Sequence, residues 1–465
     1  MSFGRPIPES DKPQGIASDK LLIREEQETG GYSVRSRDCE RAFGSQAIEV
    51  LENEPSSKTK AMSFSNMSHL KMLFDQPDEC IVWGEKAILI ATELDDEETL
   101  SHALNNVGSV QMNIESSRQK GIELLQQSLE IALKNSFHEH SARAYSNLSC
   151  NAVNLKDYGL AKKILDEGIE YCEERDLDCW RSNMLSEKAW LLFETGDWKK
   201  AQSTAENLLK YENKSSSFAI RALNVIAKIK MRKGDDDALS FLLIAKTKAF
   251  ETMELQRIIP VLIALLEYEW LTGKLLIETE ELNHVMNHIE QSIYSVENNE
   301  FAFWLLKARK QDLQLKTRLE GYEVGNIKIA LKAATLWRKL GCPYEQALAL
   351  FELSDDDKRQ ALTIMQQLGA LAVYEKLKFE MRTSGIKSIP RGLKKSTRSN
   401  PANLTERQLD VLQLLKEGLQ NKEIASKIFV SPKTVDHHIS AIFFKLDVNS
   451  RTKAVQQAMR QEIIK

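Results

Sequence analysis

The chain has 465 residues, of which 42% are apolar and 28% are charged, with only 20 glycines and 10 prolines. This length exceeds one ordinary hydrophobic core, so we expect two or more domains, and the scarcity of glycine and proline favours helix. Because no run of about 18 uncharged apolar residues occurs, and residues 1–15 lack an apolar core, we expect neither a transmembrane helix nor a secretory signal. We therefore expect a cytoplasmic protein without membrane contact, whose six cysteines are reduced thiols.

The net charge of −4 is unevenly distributed along the chain. Lys387 to Asn400 contains five basic residues and no acidic one, and Pro401 to Lys465 contains ten basic and seven acidic residues. The tail therefore carries about +8, and everything before it about −12. A basic module attached to an acidic body indicates that the tail meets a polyanion and the body does not.

The acidic body contains helical pairs that resemble tetratricopeptide repeats. The segment AYSNLSCNAVNLKDYGLAKKILDEGIEYCEE, from Ala144, carries the pattern most completely, and small residues recur 40 residues apart at Gly121, Ala161 and Ala201. Small residues at these positions let two helices approach closely, and stacked pairs bury a continuous core beside a concave groove. The other matching core positions are Leu104, Gly108, Leu125, Ser128, Tyr145, Leu148, Leu165, Gly168, Ala205 and Leu208. Because the periodicity becomes irregular after about residue 240, irregular helical pairs are the alternative.

Chemical motifs in the body are few. His284 and His288 have the spacing of metal ligands on one helical face, but the glutamate of an H-E-x-x-H motif is missing between them. The sequence FHEH at 137–140 falls where we expect a loop between helices. Gly273-Lys274 lacks the earlier glycine and the following Ser or Thr of a nucleotide-binding P-loop. We expect no catalytic residue, no bound metal and no cofactor.

The last 60 residues contain four short helices with clear start signals. Thr405 and Gln408 form a capping box, Asn421 is expected to cap a second helix, and Ser431 caps a third with Pro432 at its first position. On the third helix the predicted buried stripe is Val435, His438, Ile439, Ile442 and Leu446. The predicted outward side chains are Lys433, Thr434, Asp436, His437, Ser440 and Ala441. This order of elements is that of a helix-turn-helix, whose second helix lies in the major groove of DNA.

The stretch LTERQLDVLQLLKEGLQNKEIASKIFVSPKTVDHHISAIFFKLDVNSRTKAV resembles the LuxR (GerE-type) DNA-binding domain. The residues that match the family pattern are Thr405, Arg407, Val411, Leu412, Gly418, Asn421, Glu423, Ile424, Ala425, Ser431, Thr434, Val435, His438, Ile442, Lys445, Leu446, Arg451 and Ala454. The resemblance implies that Asp436, His437 and Ser440 read bases. It implies phosphate contacts by Asn421, Lys433, Thr434, Lys445 and Arg451, and pairing of two domains through Val455, Ala458 and Met459.

The acidic side chain at the first base-reading position departs from the family pattern, which often has a basic residue there. A carboxylate repels phosphate and accepts a hydrogen bond from the amino group of cytosine. We therefore expect Asp436 to lower affinity for DNA in general while increasing discrimination between sequences.

The body together with the tail resembles the C-terminal half of large ATP-binding LuxR-family regulators, without their P-loop. We predict an all-α protein, a tetratricopeptide-like superhelix followed by a four-helix LuxR-type helix-turn-helix. The predicted segments are a disordered 1–36, helical repeats over 37–382, a flexible basic linker over 383–402 and the DNA-binding domain over 403–465.

The predicted function is transcription regulation by a bacterial protein, with activation favoured over repression by the family resemblance alone. The expected partners are double-stranded DNA, bound as a homodimer, and a peptide, small molecule or protein in the repeat groove. Two alternatives remain: an interaction scaffold that its tail tethers to DNA, and an enzyme with His284 and His288 as metal ligands.

Overall fold

A computed structural model describes residues 51, 53–211, 217–289, 292–313, 315, 319, 321–323, 327–389, 402, 404–446, 448–461 and 463–464. The chain divides into two compact units, with the boundary after Leu377. In this described part, all regular secondary structure is helical, as predicted. The segment predicted to be disordered, 1–36, and most of the predicted linker lie outside the described residues.

Most of the described residues of the first unit lie in helices. They are α1 Lys58–Leu73, α2 Pro77–Glu93, α3 Glu97–Asn113, α4 Arg118–Lys134, α5 His138–Asn154, α6 Tyr158–Glu173, α7 Asp178–Glu194, α8 Trp198–Tyr211, α9 Ser217–Lys233, α10 Ala238–Thr252, α11 Leu255–Thr272, α12 Thr279–Ile289, α13 Ser295–Arg309, α14 Ile327–Leu340, α15 Pro343–Leu350, α16 Asp355–Leu368 and α17 Leu371–Thr383. The last of these helices crosses the boundary between the units. Among the described residues, no helix combines the length and apolar content that crossing a lipid bilayer requires.

The first eleven helices form a repeating stack. Each helix packs against the next one in the chain, and each odd-numbered helix from α1 to α9 also packs against the following odd-numbered helix. This is the contact pattern of a helical-repeat protein, in which each pair completes its core against its neighbours. The predicted core positions are buried: Leu104, Gly108, Gly121, Leu125, Ser128, Tyr145, Leu148, Ala161, Leu165, Gly168, Ala201, Ala205 and Leu208. The predicted helical-repeat fold is confirmed.

The small residues bring neighbouring helices into backbone contact, as the sequence indicates. A Cβ atom added at Gly121 in α4 would lie 2.1 Å from the backbone nitrogen of Met112 in α3. Gly108 in α3 faces the same contact, since a Cβ there would lie 3.0 Å from the carbonyl oxygen of Gly121. Glycine is therefore required here because the space of a methyl group is occupied by the adjacent backbone.

Two expectations about histidines have different outcomes. The loop expected at 137–140 is wrong, because His138 begins α5 and only Phe137 precedes that helix as its N-cap. His284 and His288 do share a helical face, with ring centroids 4.9 Å apart. Across the described residues, no group of three or more His, Cys, Asp or Glu side chains is placed to hold a metal ion.

Helices α14 and α15 pack against the turns of much earlier repeats. The Cys342 thiol donates to the Tyr158 hydroxyl at 3.4 Å, across 184 residues of sequence. Trp337 belongs to the same apolar cluster as Tyr158. A Cβ at Gly196, in the turn between α7 and α8, would lie 2.8 Å from Pro343. The late helices of the unit are thus joined directly to its middle repeats.

A buried ionic cluster forms part of this joint. The Arg232 guanidinium donates to both carboxylate oxygens of Glu267, at 2.7 and 3.0 Å, and the Tyr344 hydroxyl donates to the same carboxylate at 2.6 Å. The Lys228 ammonium lies 3.5 Å from Glu267. Burial opposes the charge on Glu267, but Arg232 and Lys228 outweigh it and hold the pKa of this carboxyl below its usual range. The cluster links α9, α11 and α15.

Candidate DNA-binding surface

After Thr383, the described residues of the second unit form four short helices around their own core. They are α18 Glu406–Lys416, α19 Asn421–Lys427, α20 Pro432–Leu446 and α21 Arg451–Arg460. The core consists of Leu404, Val411, Leu412, Leu415, Ile424, Ala425, Ile428, Val435, Ile439, Ile442, Leu446, Ala454, Ala458 and Ile464. The predicted capping box is present: Thr405 Oγ1 accepts from the backbone N–H of Gln408, whose side chain accepts from that of Thr405. The core and the cap hold α19 and α20, the two helices of the predicted helix-turn-helix, in place.

The start of α19 differs from the prediction. Asn421 is the first helical residue, and Gln420 is the N-cap. The backbone N–H of Gln420 donates to Glu423 Oε2 at 2.7 Å. A glutamate three residues after the N-cap is a recognisable start signal, so the sequence contained the correct boundary. The side chain of Asn421 is consequently available for contacts with other helices.

The turn between α19 and α20 depends on one residue in the left-handed region. Phe429 has φ +57° and a ring that is 94% exposed, while the backbone N–H of Val430 donates to the carbonyl of Ala425 at 3.0 Å. Ser431 then caps α20 as predicted, since its Oγ accepts from the backbone N–H of Thr434 at 3.1 Å. Pro432 occupies the first helical position. The turn is therefore tight, and α20 starts at a defined place.

The outer face of α20 carries the predicted base-reading residues. Asp436, His437 and Ser440 are all exposed, and so is Lys433 in the first turn. The opposite face of the helix supplies four core residues, Val435, Ile439, Ile442 and Leu446. His438, predicted to complete the buried stripe, is half-buried at its edge. The helix thus offers a polar surface next to a free amino-terminal end, the arrangement that enters a DNA groove in helix-turn-helix proteins.

Side chains from three helices meet beside this face. Arg451 Nη2 donates to Asn421 Oδ1 at 2.6 Å, and Asn421 Nδ2 donates to Asp436 Oδ1 at 3.5 Å. Arg451 Nη1 also lies 3.4 Å from Gln420 Oε1. Two of the predicted phosphate-binding residues and one predicted base-reading residue are therefore brought together. Sequence spacing did not indicate this link, because its members lie 15 and 30 residues apart.

Lys445 and Thr434 have partners inside the unit. The Lys445 ammonium donates to Gln408 Oε1 at 2.8 Å, and its partial burial lowers the pKa of this lysine. Thr434 Oγ1 lies 2.8 Å from the hydroxyl oxygen of Ser431. Among the predicted phosphate contacts, Lys433 is the exposed cation, whereas Lys445 and Arg451 are half-buried.

The residues predicted to pair two domains are placed differently from one another. Ala458 is fully buried in the core of its own unit, Val455 is half-buried, and Met459 is 47% exposed. Phe444, on α20, is 84% exposed, whereas Phe443 packs against the core. Of these three residues, Ala458 is covered by its own unit, whereas Met459 and part of Val455 are accessible.

Comparison with known families agrees with this geometry. Residues 402–458 match the family described as bacterial regulatory proteins, luxR family, GerE. The second unit contains a LuxR-family domain. The match includes α18, α19, α20 and most of α21.

Relatives with this domain are regulators that differ in length. LiaR of Bacillus subtilis is 45% identical over 62 residues, 13% of this chain and 29% of LiaR. AlkS of Pseudomonas putida is 46% identical over 61 residues, 13% of this chain and 7% of AlkS. The oxygen regulatory protein NreC of Staphylococcus carnosus is 41% identical over 61 residues, 13% of this chain and 28% of NreC. The chain thus spans less than a third of each of these proteins, and the similarity concerns the LuxR domain.

The chain is also similar to a solved structure. It is the Rap conjugation gene regulator of the plasmid pLS20 in complex with the Phr* peptide. The similarity covers 70% of this chain and 95% of that one, with 11% identity and a TM-score of 0.47.

Proposed function

We propose that this protein is a DNA-binding regulator of transcription, in which the helical-repeat unit controls how the LuxR domain engages DNA. The observation that carries the proposal is the outer face of α20, where Lys433, Asp436, His437 and Ser440 are exposed on a LuxR-family domain. A charged and polar helix face of this kind presents donors and acceptors to base edges, while a cation in its first turn attracts phosphate.

In this proposal Asp436, His437 and Ser440 contact bases, and Lys433 contacts phosphate. Arg451 and Asn421 contact phosphate at the edge of the surface next to Asp436. Thr434 and Lys445 contact phosphate after giving up their hydrogen bonds to Ser431 and Gln408. Two copies pair through Val455 and Met459 on a two-fold DNA site. A ligand in the repeat unit shifts the fraction of molecules in which two LuxR domains are free to bind.

The proposal is tested by selecting binding sites for the full chain from random double-stranded DNA and titrating salt on the best site. We expect Lys433→Ala to weaken binding to all sequences alike and to reduce the slope of log affinity against log salt by about 1. Lys200→Ala, which removes an exposed lysine from the first unit, is the matched control and should change neither quantity. A wild-type slope near zero, or a pool from which no sequence is enriched, would overturn the proposal.

The role of Asp436 is tested separately. We expect Asp436→Ala to bind non-specific DNA more tightly, because a carboxylate no longer faces phosphate. We expect the same change to cost discrimination of about 1–3 kcal/mol at one base pair of the site, the usual contribution of one base contact. Asp436→Asn separates the two effects, since it removes the charge and keeps an acceptor. Selected sequences identical to those of the wild type would rule out base reading by Asp436.

A further inference from the structure

The first unit contains a cavity of about 480 Å³ close to the joint between its late and middle helices. Its walls come from α13, from residues 321–323, and from α14 and α15. A volume of this size is typical of a small-molecule site.

Four aromatic rings form much of the cavity wall. Phe303 and Trp304 come from α13, Tyr322 from the segment that follows it, and Trp337 from α14. Their positions are fixed by contacts with one another and with the backbone. The ring centroids of Tyr322 and Trp337 are 5.2 Å apart, and Trp337 Nε1 donates to the carbonyl of Gly321 at 3.1 Å. Aromatic faces carry negative potential and attract cations.

The charged residues of the lining are predominantly acidic. Four glutamates and two lysines line the cavity: Glu300, Glu323, Glu345, Glu352, Lys307 and Lys328. Lys307 is paired with Glu352 at 2.9 Å, and Lys328 is exposed. Glu300 accepts from the Tyr322 hydroxyl at 3.3 Å and lies 3.6 Å from the Lys228 ammonium. The lining therefore has an excess of negative charge.

Among the four glutamates of the lining, Glu345 is the one with a buried carboxylate oxygen that lacks a hydrogen-bond partner in the described part of the chain. Its Oε2 atom is buried and has no hydrogen-bond partner among the described residues. Burial raises the pKa of Glu345 to about 7; Arg232 on α9 opposes this effect, and Glu194 on α7 and Glu300 on α13 add to it. A buried carboxylate with one unpartnered oxygen is costly in its charged form, and a cation bound beside it would offset that cost.

We propose that this cavity binds a compact organic cation, an amine or guanidinium on an apolar body, with Glu345 as its carboxylate partner and the four rings around it. Such a cation is available either as a free small molecule or as a lysine or arginine side chain of a peptide. This ligand site would be part of the proposed function. The effect of binding on transcription rests on that function, whereas the binding itself does not. Occupation of the cavity would strengthen the joint between α13, α14 and α15.

The test uses the full chain without DNA and a series of ligands that differ in charge. Phenylethylamine, 2-phenylethanol and phenylacetate are titrated by calorimetry, together with a blocked dipeptide of phenylalanine and arginine. We expect the amine to bind at least about tenfold more tightly than the alcohol, and the acid to bind most weakly. Binding of the free amine assigns a small-molecule source, and binding of the dipeptide alone assigns a peptide source. Absence of both up to about 10 mM, or equal affinity for all three small ligands, overturns the proposal.

The variant Glu345→Gln tests the assigned partner, and Glu130→Gln on the exposed side of α4 is the matched control. We expect about tenfold loss of amine affinity for Glu345→Gln and no change for the control. Affinity of the wild type should rise about fivefold from pH 6 to pH 8 as Glu345 loses its proton, whereas that of Glu345→Gln should stay constant. Unchanged affinity in Glu345→Gln would overturn the assignment.

Failure of this inference differs from failure of the proposed function. An empty cavity in a chain that still binds DNA with the expected salt dependence overturns the ligand site alone. Amine binding by a chain that enriches no DNA sequence supports the site and overturns the regulatory function.

Discussion

Replacing Glu267 by alanine is expected to lower the free energy of unfolding of the first unit by about 3–5 kcal/mol, the usual cost of breaking a buried ion pair. Glu267 is 1% exposed; its carboxylate accepts hydrogen bonds from Arg232 and Tyr344 and forms an ion pair with Lys228. Its removal leaves the buried Arg232 without its ion-pair partner and leaves Lys228 with Glu300 alone, at 3.6 Å. Urea unfolding followed by tryptophan fluorescence measures the effect in the full chain, because all seven tryptophans precede Leu377.

The control for this experiment is Lys188→Ala, which breaks an exposed ion pair with Asp166 at 2.8 Å. Solvent screens such pairs, so its effect should stay below about 0.5 kcal/mol. Equal effects of the two replacements would show that the buried cluster does not hold α9, α11 and α15 together.

The second large effect is expected at the contact between α3 and α4. Gly121→Ala should destabilise the first unit by about 3 kcal/mol, at the upper end of the usual cost of overpacking, because its Cβ would meet the backbone of Met112 at 2.1 Å. Backbone atoms cannot rotate away as a side chain does, so the two helices must separate. Thermal unfolding monitored by tryptophan fluorescence reports the change.

The matched control is Gly159→Ala, in the first turn of α6. Here an added Cβ would lie 3.7 Å from Asp157 Oδ1, an ordinary van der Waals contact. Because alanine restricts the unfolded chain and favours helix, this replacement should raise the free energy of unfolding by about 0.5–1 kcal/mol. A similar loss of stability in both variants would contradict the role assigned to close packing at Gly121.

The local features of both units could be predicted from the sequence because their causes are local. The caps at Thr405 and Ser431 involve partners three residues away, and Pro432 marks a helix start by its own geometry. The small residues at 121 and 161 mark close helix contacts because repeats place them at regular intervals. The N-cap of α19 was misplaced by one residue, although Glu423 identifies Gln420 as the cap.

The features that depend on distant partners could not be predicted in this way. Glu267 and Tyr344 are separated by 77 residues, and no periodicity relates them. Glu345 lies in the first turn of α15, two residues after Pro343, where an acidic residue ordinarily stabilises the helix dipole. Its unsatisfied oxygen arises only because α15 packs against other helices. The surface of α20 was predictable by residue type, whereas the link between Asn421, Asp436 and Arg451 required coordinates.

The hydrogen bond between Cys342 and Tyr158 affects the cooperativity with which the first unit unfolds. In an open array of repeats, each pair loses its structure almost independently, since it touches only its neighbours. Here the hydrogen bond joins residues 184 positions apart, so the late helices α14 and α15 cannot unfold without losing a contact with α6. Unfolding is therefore expected to be cooperative over many repeats. A ligand that binds in the cavity next to Trp337 would then also stabilise helices that it does not contact.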